Sequence, residues 1–114
     1  RNTNGKILNA IARGIPSFLG GSADLSPSNK THLNDMGNYP KGRNIYFGIR
    51  EHAMASIANA MALYGPLMPF TSTFFVFSDY LKPAARIAAL TGIQQFFIWT
   101  HDSIGVGEDG PTHQ

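Results

Sequence analysis

The residues best able to do chemistry gather in the last fifteen, Thr100 to Gln114, which read T-H-D-S-I-G-V-G-E-D-G-P-T-H-Q. His101 and His113 can pass protons near neutral pH, and Asp102, Glu108 and Asp109 can accept hydrogen bonds from hydroxyl groups. Gly105, Gly107 and Gly110 fit G-x-G-x-x-G, the pattern of a dinucleotide cradle. That cradle works by turning a strand into a helix whose N-terminal N–H groups receive a pyrophosphate. Here Glu108 and Asp109 would set two negative charges beside the anion, and Pro111 follows with no helix-forming run behind it. No Gly-Lys-Ser/Thr occurs either, so no nucleotide cradle is expected. The same histidines and carboxylates lack the i, i+4 spacing of a helical metal site, and ligands spaced by glycines are poorly held. No metal site is expected within these residues.

Glu51 is the most informative single residue, standing where an apolar strand becomes a helix in Y-F-G-I-R-E-H-A-M. One reading is a helix-start carboxylate favoured by the macrodipole, worth about 0.3–1 kcal/mol. The other is a carboxyl withdrawn from water between apolar elements, able to share a proton with a ligand nitrogen. Phe74, Phe77 and Tyr80 recur at i, i+3, i+6 with Phe75 adjacent. They read either as core packing or as an aromatic wall for a planar heterocycle, and Ser72, Thr73 and Ser78 add polarity that suits a pocket. A third set, Arg1, Ser22, Asp24, Ser28, Asn29, Lys30 and His32, reads as a solvated loop or as a phosphate site.

The elements that must position these groups follow from periodicity. Thr3 to Arg13 predicts a helix, capped by Thr3 and striped by Ile7, Leu8, Ala10 and Ile11. Phe18-Leu19 is a short strand running into Gly20-Gly21, and Ser22 to Asn44 a long loop, functional or disordered. Ile45 to Phe47 predicts a buried strand and Glu51 to Leu63 a helix whose five Ala and one Ser permit close approach. Leu67 to Thr73 is a third strand and Phe74 to Leu90 a second long helix, which Pro83 kinks or restarts. Gln95 to Thr100 closes the pattern as a strand, its Phe96-Phe97-Ile98-Trp99 run read as buried. Strands alternating with helices predict an α/β fold with a mostly parallel sheet and helices on both faces.

The 114 residues suit one small domain. A hydrophobic share of 43% supports a core, whereas the charged share of 14% falls below the roughly 25% usual for a free-standing domain. A surface so poor in charge is expected to be covered by another domain or subunit. Arg1 at the start and Gln114 inside a loop fit a piece of a larger protein. The net charge of +2 comes from scattered Lys and Arg without a basic stripe, so nucleic acid is not an expected partner. Neither a membrane span nor a signal peptide is expected. With no cysteine, disulfides and thiolate chemistry are excluded, and a cytoplasmic location is expected.

Four segments together resemble one family, the transketolases: G-G-S-A-D-L-S-P-S-N at Gly20 to Asn29, G-I-R-E-H-A-M at Gly48 to Met54, T-S-T-F-F-V-F-S-D-Y at Thr71 to Tyr80, and the Thr100 to Gln114 motif. They fall in the family's order and spacing over nearly the whole chain. The resemblance implies most of a pyrimidine-binding (Pyr) domain, a single partial domain over 1–114 truncated at both ends. It implies thiamine diphosphate, a divalent metal (Mg or Ca), and transfer of a two-carbon ketol unit from a ketose phosphate to an aldose phosphate, as in the pentose phosphate pathway. Glu51 matches the glutamate that hydrogen-bonds the aminopyrimidine ring nitrogen, a contact that favours the imino tautomer and so formation of the ylid. Phe74, Phe77 and Tyr80 match the aromatic residues around the pyrimidine, with Phe77 the stacking partner, and Asp24 an aspartate near the cofactor. On the substrate side His101, Arg1 and Ser28 match groups near the sugar phosphate. Asp109 matches the reader of a substrate hydroxyl, and His113 a catalytic histidine beside the reacting carbons.

The family holds diphosphate and metal through a G-D-G motif and a downstream Asn of a separate domain, which these residues lack. Its active sites lie between the two subunits of a homodimer. The isolated chain is therefore expected to be inactive. Related alternatives are dihydroxyacetone synthase and 1-deoxyxylulose-5-phosphate synthase. An alternative of another class is a catalytically dead subunit that only assembles, against which the presence of Glu51, His101, Asp109 and His113 counts.

Overall fold

A computed structural model describes residues 1–105 and 110–113. The elements are α1 (Asn2–Gly14), β1 (Phe18–Ser22), α2 (Ser26–Asn29), β2 (Asn44–Tyr46), α3 (Glu51–Tyr64), β3 (Met68–Phe74), a 3₁₀ helix (Phe75–Tyr80), α4 (Lys82–Thr91) and β4 (Phe96–Thr100). The strands form one sheet in the order β2-β1-β3-β4, every pair parallel. Successive strand residues point to opposite faces, and β4 shows both. Phe97 packs on a cluster of Ala23, Phe47, Met54, Ala55, Leu81 and Ala84, and Ile98 on one of Leu8, Ala12, Phe18, Leu33 and Phe70. Helices α3 and α4 thus cover one face and α1 the other, which is the α/β architecture that the alternating pattern predicts. Each buried Phe, Leu or Met contributes about 1.5–3 kcal/mol.

β1 can lie between two neighbours because of its glycines. A Cβ on Gly20 would run into the Phe70 carbonyl oxygen, and one on Gly21 into that of Ile45. Backbone cannot swing away as a side chain would. Gly21→Ala is therefore expected to destabilise the protein by about 1–3 kcal/mol, read as a lowered urea midpoint; an unchanged midpoint would show that the strands can part there.

Four expectations need correction. Helix α1 starts at Asn2 behind Arg1, with no side-chain cap, so Thr3 lies inside the first turn. Its buried stripe is Leu8, Asn9 and Ala12, while Ile7 is 53% exposed. Asn9 is inside because its amide donates to the carbonyls of Gly5 (2.9 Å) and His32 (3.0 Å) and accepts from the Asn34 N–H (2.7 Å). The segment after β1 contains α2 and packs tightly, with Asn29, Thr31 and Leu33 fully buried. Asn44 pins it by exchanging two hydrogen bonds with the Leu33 backbone.

The third correction concerns β4, which is not a buried strand: Phe96 and Trp99 are 39% and 38% exposed, and only Thr100 is buried. It is the outer strand beside β3 among the described residues, and an apolar run does not reveal which strand lies outside. Fourth, Phe74 to Leu90 is not one helix. A 3₁₀ segment comes first, and Leu81 N–H bonds to Ser78 carbonyl at 3.0 Å. Pro83 then sits in the first turn of α4, where its missing N–H costs nothing.

Candidate active site

Asp24, Glu51, Phe74, Phe77, Tyr80 and His101 sit at the carboxyl ends of the parallel strands or on the element that follows. β1 connects onward to β2 on one side, and β3 to β4 on the other. Two adjacent strands whose connections leave in opposite directions open a crevice between their carboxyl ends. The turn after β1 carries Asp24, at φ 61°, into this region. The turn after β2 delivers Glu51 as the first residue of α3, and the 3₁₀ helix brings the aromatics from β3.

A cleft of about 510 Å³ results, lined by Ala23, Asp24, Leu25, Ile49, Glu51, Phe77, Tyr80 and His113. Five sequence candidates, Asp24, Glu51, Phe77, Tyr80 and His113, therefore meet in one space. Glu51 is only 9% exposed, and no ion pair or hydrogen bond engages its carboxylate among the described residues. The carboxylate oxygens are not among the buried atoms left without a partner, so they open onto the cleft, where a ligand can engage them.

The spacing of the aromatics now has a geometric cause. A 3₁₀ helix has three residues per turn, so Phe77 and Tyr80 at i and i+3 stand in one column, while Phe74 precedes them as the last residue of β3. Phe74 and Phe77 have centroids 5.9 Å apart at 16°, and Phe77 and Tyr80 6.1 Å apart. Phe77 and Tyr80 face the cleft, whereas Phe74, 3% exposed, backs them from behind. His113 stands edge-on to Phe77, centroids 5.2 Å apart.

A second constellation lies beyond Phe74. His101 stacks on it with a centroid separation of 3.6 Å. Arg1 Nη1 donates to His101 Nε2 at 2.5 Å. Arg1 lines one hollow with Ser28 and Lys30, and another with His101, Asp102 and Ser103. Arg1 thus stands between a hollow that holds Ser28 and one that holds His101, 100 positions away in the chain. Asp109 lies outside the described residues.

Other polar candidates divide. Ser22 and Asn29 are buried and bond to each other at 3.1 Å, so they build the site rather than line it. Lys30 and His32 flank a separate groove beside Lys6 and Arg13. Among the described residues no three of His, Cys, Asp and Glu gather as a metal would need, and no helix is long and apolar enough to cross a membrane. Sequence reasoning missed Thr100 and Thr31. Both are buried in the polar network around Asn29, and their only signal was a hydroxyl beside another candidate.

Comparison with known proteins gives this geometry a family. The profile described as "Transketolase, pyrimidine binding domain" matches residues 1–114. The chain is 54% identical to a transketolase of Geobacillus stearothermophilus and 53% to one of Staphylococcus aureus, covering 100% of this chain and 18% of each relative. The chain therefore spans less than a fifth of the length of these curated relatives. Among solved structures, a Campylobacter jejuni transketolase is 68% identical with a TM-score of 0.96, over 99% of this chain and 18% of that one. A Pichia stipitis transketolase in complex with sedoheptulose 7-phosphate is 41% identical with a TM-score of 0.91, over 96% of this chain and 18% of that one. A profile matched from Arg1 to Gln114 and a parallel sheet shared with these structures lead to one conclusion: this chain belongs to the transketolase family, in its pyrimidine-binding domain.

Proposed function

We propose that the protein containing this chain transfers a two-carbon ketol unit from a ketose phosphate to an aldose phosphate, with thiamine diphosphate as cofactor. The observation that carries the reading is the cleft where the carboxyl of Glu51, a residue 9% exposed and without an ion-pair partner among the described residues, faces the Phe77–Tyr80 wall. A planar nitrogen heterocycle fits both: a ring nitrogen shares a proton with the carboxyl, and the ring face lies on the aromatics. When bound, the cofactor supplies the electron sink for breaking the donor's carbon–carbon bond.

The chain's own residues do the rest. Glu51 holds a proton against the aminopyrimidine nitrogen, Phe77 and Tyr80 orient the ring, Asp24 closes the cleft beside the cofactor, and Phe74 stiffens the wall from behind. His113 holds or moves a proton beside the reacting carbons. Arg1, Ser28 and His101 hold the sugar phosphate, and Asp109 reads a substrate hydroxyl. Sedoheptulose 7-phosphate, the sugar phosphate bound by the Pichia relative, has the chemistry these residues would accept.

The 114 residues form one partial domain in this reading, and the diphosphate and its magnesium or calcium are held by residues outside it. Ile49 and Tyr80, 79% and 65% exposed at the cleft, and Phe75 nearby at 48% suit a site completed by a second subunit. The assembly is a cytoplasmic homodimer. The test is product analysis of the full-length protein with xylulose 5-phosphate and either ribose 5-phosphate or formaldehyde. Sedoheptulose 7-phosphate and glyceraldehyde 3-phosphate are expected from the first pair. Preference for formaldehyde would make it a dihydroxyacetone synthase, and turnover of neither pair with cofactor bound would make it an assembly subunit.

A further inference from the structure

We infer that Thr100 and Asn29 are positioning residues that lock His101 in one tautomer, with its proton on Nδ1 and its Nε2 lone pair turned to Arg1. A guanidinium only donates, so His101 Nε2, 2.5 Å from Arg1 Nη1, accepts. The neutral ring then carries its proton on Nδ1, which lies 2.8 Å from Thr100 Oγ1. Thr100 accepts that proton's hydrogen bond, and its own hydroxyl donates to Asn29 Oδ1 at 2.6 Å.

The far end fixes the same direction. Asn29 Nδ2 donates to Ser22 Oγ at 3.1 Å and Ser72 Oγ at 3.4 Å. The Ser72 hydroxyl is committed to the Gly21 carbonyl at 3.2 Å, so toward Asn29 and Thr31 it can only accept. A flipped Asn29 amide would turn its oxygen onto that acceptor, and its NH₂ onto Thr100. Thr100 would then have to donate to His101, leaving Nε2–H opposed to the guanidinium. Among the hydrogen bonds of the described residues, the unflipped amide with the proton on Nδ1 satisfies Arg1, His101, Thr100 and Asn29 together. Asn29, Thr31, Ser72 and Ser22 are all at most 1% exposed and Thr100 is 7% exposed, so the bonds from Thr100 inward to Asn29 and the serines are shielded from competing water. Phe74, stacked on the imidazole, fixes the plane of the ring.

The consequence concerns charge. Asp102 lines the same hollow but forms no ion pair with Arg1 among the described residues. A neutral imidazole orients the guanidinium without cancelling its charge, leaving that charge for an anion. The inference rests on the sugar-phosphate reading of Arg1 and His101, and it assigns how the anion-binding group is kept in place from the sheet.

The experiment compares Thr100→Val with Thr100→Ser in the full-length holoenzyme. Thr100→Val, nearly isosteric, removes both hydrogen bonds and is expected to raise KM for xylulose 5-phosphate about tenfold, with KM for unphosphorylated xylulose moved less than about twofold. Thr100→Ser keeps the hydroxyl and is expected to restore wild-type KM. A role in folding alone would move both substrates together and leave Ser and Val alike. That pattern, or a wild-type KM in Thr100→Val, overturns the inference. Should Thr100→Val not fold, Thr100→Cys, of similar volume with weaker hydrogen bonds, takes its place with the same direction of change. Arg1→Ala separates the two ideas: loss of discrimination there removes the phosphate reading, whereas a selective Arg1 effect beside an inert Thr100→Val removes only the relay.

Discussion

Turnover is expected to fall by about a hundred- to ten-thousand-fold when Glu51 is replaced by alanine in the full-length protein, the span typical of losing a positioned proton-transfer group. The physical case is the separation of two roles that a helix-start glutamate can have. As a macrodipole partner in the first turn of α3, Glu51 would contribute about 0.3–1 kcal/mol of stability and nothing to chemistry. Its 9% exposure, its position in the cleft and the absence of an ion-pair partner among the described residues favour the other role. The expected result is thus a large loss of kcat with a denaturation midpoint shifted by less than about 1 kcal/mol. Glu51→Gln, which keeps shape and polarity but cannot share a carboxyl proton, should lose nearly as much. Wild-type turnover in either variant would remove the proposed cofactor role.

The second large effect is expected at Arg1. Arg1→Ala should raise KM for phosphorylated sugars about ten- to a hundredfold, the equivalent of about 1.5–3 kcal/mol for a charge-assisted hydrogen bond. Unphosphorylated sugars should be nearly unaffected, because Arg1 lines the hollows of Ser28 and of His101 and takes no part in the Glu51 cleft. The asymmetry is the diagnostic, since a misfolded site would lose both classes of substrate. Steady-state kinetics with xylulose 5-phosphate and xylulose read it directly, and equal effects on both would sink the phosphate assignment. Arg1→Lys is expected to recover only part of the loss, because an ammonium cannot present a planar fork to phosphate oxygens.

Much of the architecture was legible because it depends on local pattern. The alternation of short apolar runs with helix-period segments suffices for a parallel α/β sheet, and Glu51 is found at a strand-to-helix junction by inspection. The aromatic triplet was legible as a spacing but not as a shape. Phe77 and Tyr80 align on the 3₁₀ segment between β3 and Pro83, whereas Phe74 belongs to the strand before it and backs them. The β4 strand was misread for a related reason, since its four apolar residues say that it is a strand and not which side is covered.

The sequence by itself determined the residue types available for chemistry, their order at the ends of successive strands, and the four family motifs that imply a thiamine-dependent ketol transfer. Those are one-dimensional properties, set by composition and spacing. Only the tertiary structure decided which groups meet. Glu51, Phe77, Tyr80, Asp24 and His113 share a cleft because β1 and β3 send their connections in opposite directions. Asn29 reaches Thr100 across 71 positions because α2 packs over the ends of β1 and β3, with β4 alongside. Hydrogen-bond direction, burial and charge compensation arise from such long-range contacts, and no local pattern contains them.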